Sequence, residues 1–282
     1  MSAHLSIRDG SPDWWTSESI WVVPNDPLGA PGSPIAGKPA YLKALVENTG
    51  DSPANGARVD FYWANPAMQI VIGVANFIGS AFVDVDPGAN QEALCLVPWI
   101  PSIVNGGHEC VLAVAHSPAE ASPLPDPLPT GFDFAPPAHD EIAQRNLSVL
   151  AASMRATPRS LTITAPPRAD KTVRITAKIG GTLSETLLVQ LGLKGFRPAA
   201  KEVAQVGLGR EAICGQRDRL VGEREIEIHV PRGTSVGVFA SIHATGLANN
   251  EYQLVHLVER SENRVLGGIS YVMVPPHEGA AT

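Results

Sequence analysis

An all-β chain, folded as two immunoglobulin-like antiparallel β-sandwich domains in tandem, is what the sequence predicts. Three observations lead there. The stretch 57–66, ARVDFYWANP, alternates, with Val59, Phe61 and Trp63 on one side and Arg58, Asp60 and Tyr62 on the other. Successive side chains leave a strand on opposite faces, so this reads as a half-buried strand whose Val, Phe and Trp need a second layer above them. Runs of similar character recur at short spacing along the chain, between clusters of turn-forming residues. Finally, 26 glycines and 25 prolines suit many turns and short strands, and do not suit long helices.

The 282 residues are enough for two domains, and a hydrophobic content of 44% supports a real core. A net charge of −7 argues against nucleic acid and anionic membrane as partners, since both want a basic face. No stretch reaches the roughly 18 continuous apolar residues of a membrane span, so membrane insertion is not expected. The start, MSAHLSIRDGSPDWW, has no basic region followed by an apolar run, and so no secretory signal. The expected compartment is the cytoplasm, or the exterior by a route without a cleaved signal, as part of an assembly. Of the three cysteines, Cys95 and Cys110 bridge only if their strands meet. Buried free thiols are the preferred reading, and no Cys/His cluster has zinc spacing.

Taken in order, residues 1–16 read as an N-terminal arm. Its Trp14 and Trp15 either cover a sandwich edge or junction, or offer a carbohydrate platform. Residues 17–152 form the first sandwich. Its strands are SIWVV (19–23), YLKALVE (41–47) with Leu42, Ala44 and Val46 inward, the central strand, QEALCLVPW (91–99), HECVLAVAH (108–116) with Cys110, Leu112 and Val114 inward, and NLSVLA (146–151) as the last. The segment 67–82, AMQIVIGVANFIGSAF, is almost continuously apolar. It reads as a buried strand, a bulged crossing strand or a loop open to a partner. Asp84 and Asp86 lie in a turn without EF-hand spacing, so a solvated turn is preferred to a calcium site. Residues 117–138 are a Pro-rich excursion pinned by Phe132 and Phe134. A linker at 153–160 leads to a second sandwich at 161–275. Its strands are LTIT, TVRITAKI, LLVQLGL, EIEIHV, SVGVFASIH, YQLVHLVE and VLGGISYVMV. Residues 201–219 fit a short helix or a long loop, and 276–282 a flexible tail.

The order of features in the first sandwich carries a resemblance. SESIWVVP and a Pro/Gly loop precede ALVENTGDSPANGARVDFYWANP. VPWIPSIVNGGHECVLAVAH, the excursion and HDEIAQRNLSV follow. Over about 17–151 this resembles the CARDB-type (cell-adhesion-related) immunoglobulin-like domains of bacterial proteins. The resemblance implies an immunoglobulin-like fold and a building or docking module. It names no catalytic residue.

No nucleophile elbow, HExxH, phosphate loop or dinucleotide motif is present, and no cofactor is expected. His108, His116, His139 and Asp140 are the candidates for a metal or a catalytic cluster, against a reading in which they cap strands. Arg168, Lys171 and Arg174 read as a solvated face. The leading expectation is a non-catalytic structural or interaction protein, a β-sandwich subunit of a multi-copy assembly such as a fibre, a particle or a phage-like contractile device. Its partners are proteins, self-association first. The candidate contact residues are Trp14, Trp15, Ile70, Val71, Ile72 and Phe77. The alternative is a glycan-binding or adhesion module with exposed indoles, and the third reading is an enzyme or effector with a His-containing site.

Overall fold

A computed structural model describes residues 2–102, 110–152, 157–211 and 222–276. The chain is all-β and forms two antiparallel β-sandwich units. The first comprises Met1–Asn65, Ile70–Asn146 and Val189–Gly192, and the second Pro66–Gln69, Leu147–Leu188 and Leu193–Thr282.

In the first unit, β1 (Leu5–Ser6) and β2 (Ile20–Pro24) pair in succession with β3 (Ala40–Asn48), and β6 (Asn90–Trp99) pairs with β3 as well. The facing sheet runs β5 (Asn76–Val85), β4 (Ala54–Ala64), β7 (Cys110–His116) and β8 (Ile142–Arg145). Every pairing is antiparallel. Leu42, Ala44 and Val46 are buried in the common core with Val59 and Phe61, and Trp63 packs against its border. Burying side chains of this size stabilises by about 1.5–3 kcal/mol each, which is why the alternation of β3 and β4 was readable.

Four expectations for this unit need correction. Residues 1–16 are no arm: β1 pairs with β3, and Ala3, Leu5 and Ile7 belong to the core. The faces of β7 are inverted. Val111, Ala113 and Ala115 enter the core, while Cys110, Leu112 and Val114 are buried on the other face. Both faces are covered, so the apolar pattern held no information about which one was inward. The last strand, β9 (Leu147–Ala151), belongs to the second unit, where it pairs in parallel with β17 (Arg264–Val274). Of the linker placed at 153–160, residues 157–160 begin a strand, and 153–156 lie outside the described residues. Cys95 and Cys110 are buried thiols that form no disulfide.

In the second unit, β10 (Thr157–Thr164), β15 (Ser235–Ala244) and β13 (Ala204–Gly209) make one sheet, in that order. The other runs β14 (Glu225–Val230), β11 (Lys171–Ile179), β16 (Glu251–Ser261), β17 and β9, with β12 (Arg197–Pro198) beside the start of β16. Part of 201–219, expected as helix or loop, is strand β13, and residues 212–221 lie outside the described residues, as do 277–282 of the expected tail. LLVQLGL is not a strand: α1 (Glu185–Gln190) occupies its first part. Ser184 Oγ accepts the Leu187 amide at 3.1 Å, a helix cap, and Gly192 ends the turn at φ +73°. Leu187, Leu188 and Leu191 then fall on one helical face, a spacing that fits a helix better than a strand. Lys171, expected on a solvated face, places Nζ 2.6 Å from the buried Glu259 carboxylate and 2.7 Å from Gln69 Oε1.

Candidate functional site

Two features of the first unit carry exposed or polar chemistry. The first lies on the face of β4 away from the core. Arg58, Asp60 and Tyr62 stand there, as the alternation predicted, but Asp60 is buried. The Ser80 hydroxyl donates to Asp60 at 2.6 Å. His116 Nε2 lies 3.4 Å from the other carboxylate oxygen, and Arg58 Nε is 3.1 Å away. Burial pushes the Asp60 carboxyl up, but the nearby His116 imidazole, the hydrogen bond from Ser80 and the Arg58 charge outweigh it, and the net direction is down. Arg58 also reaches Asp126 of the Pro-rich excursion at 2.9 Å, which holds its guanidinium above the usual value and Asp126 below. Tyr62 is pushed up to about 12, first by burial and then by the Asp60 charge. Its ring meets Phe77 at 5.5 Å and Phe134 at 5.3 Å. The excursion is thus fastened over β4 by an ion pair and an aromatic cluster.

The second feature is the side where β5 and β6 lie next to one another. Each is an edge strand, and among the described residues neither has a ladder partner on its outer edge. The strands converge at Gly79. A Cβ there would stand 2.7 Å from Val97 Cγ2 and 3.1 Å from Cys95 Sγ. Beyond that crossing a groove of about 710 Å³ opens between Ser80–Asp84 and the stretch from Gln91 to Leu96. Phe82 is 69% exposed on one flank and Leu96 68% on the other. Val97 and Ile100 are exposed too.

Of the expected contact residues, Phe77 is exposed, at 58%, at the start of β5. The others are tied down. Trp14 and Trp15 are 5% and 2% exposed and pack edge to face at 5.6 Å, and the Trp15 carbonyl accepts the Asn146 amide. Ile70 is buried, and Val71 and Ile72 are half-buried. The stretch is stitched to the excursion through Phe134 N to Ile70 O at 3.0 Å and Ile72 N to Phe132 O at 2.9 Å. Trp21 and Trp99 are buried with them, so the exposed row of indoles a glycan platform needs is not formed.

The histidine cluster does not assemble either. His116 faces Asp60, His139 stacks on Phe132 at 5.1 Å, and Asp140 lies 3.3 Å from His4. His108 lies outside the described residues. Among the described residues no group of three or more His, Cys, Asp or Glu could hold a metal. Sequence reasoning offered Phe82 only as the end of the apolar segment 67–82 and missed Leu96, whose exposure depends on strand order. It also missed Arg145, a buried guanidinium that donates to Ile20 O at 2.7 Å and to Gln190 Oε1, and that burial pushes down to about 10. In the second unit a smaller hollow of about 240 Å³ lies beside Phe239, Ser241 and Arg210.

No family model matches the chain, and no curated protein matches it. Among solved structures it is similar to the CupB6 tip adhesin from Pseudomonas aeruginosa, at 12% identity over 96% of this chain and 97% of that one, with a TM-score of 0.24. It is similar to the enterotoxigenic E. coli CFA/I adhesin CfaE at 8% identity over 98% and 94%, with a TM-score of 0.23. For CBD12 from CALX1.2 the values are 15%, 80% and 76%, with a TM-score of 0.19. Likenesses this distant leave the description of the fold to the strand pairings themselves.

Proposed function

We propose that this chain is a non-catalytic interaction protein, a β-sandwich subunit of a multi-copy assembly, that engages its protein partner through the β5–β6 side. One observation carries the reading. Two edge strands of opposite sheets lie next to each other, their outer edges without a ladder partner among the described residues, and Phe82 and Leu96 stand exposed on the flanks of the groove between them. An apolar edge strand is a template for pairing with another chain, and monomeric proteins usually guard such edges with charge or proline. Apolar exposure on a groove flank is the usual mark of a contact surface. The motif order that resembles CARDB-type modules supports the same reading.

The polar cluster around Asp60 fits a structural role. The Ser80 hydroxyl donates to the Asp60 carboxylate, whose proton affinity is held below that of an ordinary aspartate, which makes it a weak base for activating a nucleophile.

The test is molar mass by light scattering over a wide concentration range, for the wild type and for Leu96→Glu. The expected result is a wild-type mass above that of one chain, and a Leu96→Glu mass that falls toward it with thermal stability unchanged. A wild type that stays monomeric at every concentration overturns the reading.

A further inference from the structure

Resting on that reading, we infer that the partner of the β5 edge is a second copy of this chain, joined β5 to β5 in antiparallel fashion about a two-fold axis through Phe82. The occupant of a sheet edge is an extended strand, because only a strand satisfies a row of free N–H and C=O groups. β5 is 10 residues long, NFIGSAFVDV, with no proline and no lysine to deter pairing. β6, by contrast, carries Pro98 near its end.

The register follows from symmetry and charge. A two-fold axis perpendicular to a sheet keeps each face on its own side. Residues directly opposite across a ladder share a face, so the axis must pass through a residue. The pairing of β5 with β4 is irregular at two places: between Phe61 and Tyr62 the extra residue, Ile78, lies on β5, and between Ala54 and Ala57, opposite Asp84, it lies on β4, which leaves Gly79–Val85 as the stretch of β5 without an inserted residue. An axis at Asp84 sets carboxylate against carboxylate. An axis at Val83 sets Asp84 against the phenyl ring of Phe82. An axis at Ser80 or Ala81 carries Phe82 or Asp84 against the bulged Ile78. An axis at Phe82 meets none of these objections. It places the two Phe82 rings together, Ser80 opposite Asp84, Ala81 opposite Val83 and Gly79 opposite Val85. Aromatic pairs are among the favourable cross-strand pairs, and like charges directly opposite are unfavourable.

A ladder of this length alone falls short of the roughly 1,000 Å² expected of a specific interface. Leu96 and Val97, exposed on the neighbouring edge, supply further apolar area on the same side. The sheet would then run continuously from β8 of one copy to β8 of the other.

Oxidative cross-linking of the full chain tests the register. Phe82→Cys is expected to give a covalent dimer on a non-reducing gel. Phe77→Cys, at a position also exposed but outside that stretch of β5, is expected to stay monomeric on that gel. The double variant Ser80→Cys/Asp84→Cys retains Phe82 and is expected to cross-link between copies, since the two positions are about 14 Å apart along one strand and cannot bond within it. Phe82→Lys puts two ammonium groups on the axis and is expected to halve the mass seen by light scattering. Assembly without either cross-link, or unmoved by Phe82→Lys, overturns this inference and leaves the broader interaction reading standing. A monomeric wild type overturns both.

Discussion

β5 and β14 are both edge strands of large sheets, and they are defended differently. In β14, EIEIHV, the exposed positions are Glu225, Glu227 and His229, and Arg174 of β11 lies 3.5 Å and 3.9 Å from the two carboxylates. A chain that pairs there must bury or displace that charge. In β5 the exposed positions include Phe77 and Phe82, and Asp84 alone brings a charge to the strand. Edges guarded by charge are the ordinary solution for a protein that stays apart from its copies. The contrast teaches that two edges of one chain can differ in kind, one lined by paired charges and the other by exposed aromatic rings.

If the apolar groups of β5 serve contact and not folding, two phenylalanines of one sheet must behave differently. Phe61→Ala empties a fully buried position and is expected to cost about 3–5 kcal/mol. Phe82→Ala is expected to stay within about 0.5 kcal/mol of wild type in chemical denaturation, while its assembly weakens. Equal losses at the two sites would break the comparison.

A smaller effect concerns the crossing of the two edges. Gly79→Ala drives a methyl group into Val97 and the Cys95 thiol and is expected to cost about 1–3 kcal/mol. By spreading β5 from β6 it should also weaken assembly, and denaturant midpoints read beside molar mass check both.

Reversing the contrast sharpens it further. Glu225→Val with Glu227→Val strips the guard from β14. Exposed ion pairs contribute at most about 1 kcal/mol each, so little change in unfolding midpoint is expected, but new concentration-dependent association should appear in sedimentation velocity.

The smallest effect is on pH dependence. The folded Asp60 carboxyl titrates below its ordinary value, so its contribution to stability is fully present above the usual aspartate range. That contribution is lost as pH falls through the lowered folded value. Asp60→Asn should flatten that acid limb in thermal melts taken at successive pH values. An unaltered limb would show that the Arg58, Ser80 and His116 contacts do not stabilise the charged form.

The alternation of β3 and β4 was legible because the aliphatic and aromatic residues of the core face alternate with largely polar or amphipathic ones, Arg58, Asp60 and Tyr62 in β4, even where the excursion covers that second face. β7 was legible as a strand but not by face, because both of its faces are apolar and both are buried. Leu147–Ala151 reads as a strand whichever sheet it joins, so its parallel partner β17 left no local signal. The helix at Glu185–Gln190 did leave one, the Ser184 cap with leucines at helical spacing, and β-rich surroundings masked it. The candidate site was the least legible part. FIGSAFVDV, which overlaps the apolar segment 67–82, reads as a buried strand, a crossing strand or a loop open to a partner until the strand order shows that it lies at an edge, and Trp14 and Trp15 read as an edge cover or a platform until their burial is known.

Amide hydrogen exchange, followed strand by strand at low and at high protein concentration, tests the central claim most directly. The outward amides of Gly79–Val85 should gain protection as concentration rises, while those of Glu225–Val230 stay unchanged. Exchange in β5 that is indifferent to concentration, or protection gained at β14 instead, would contradict it.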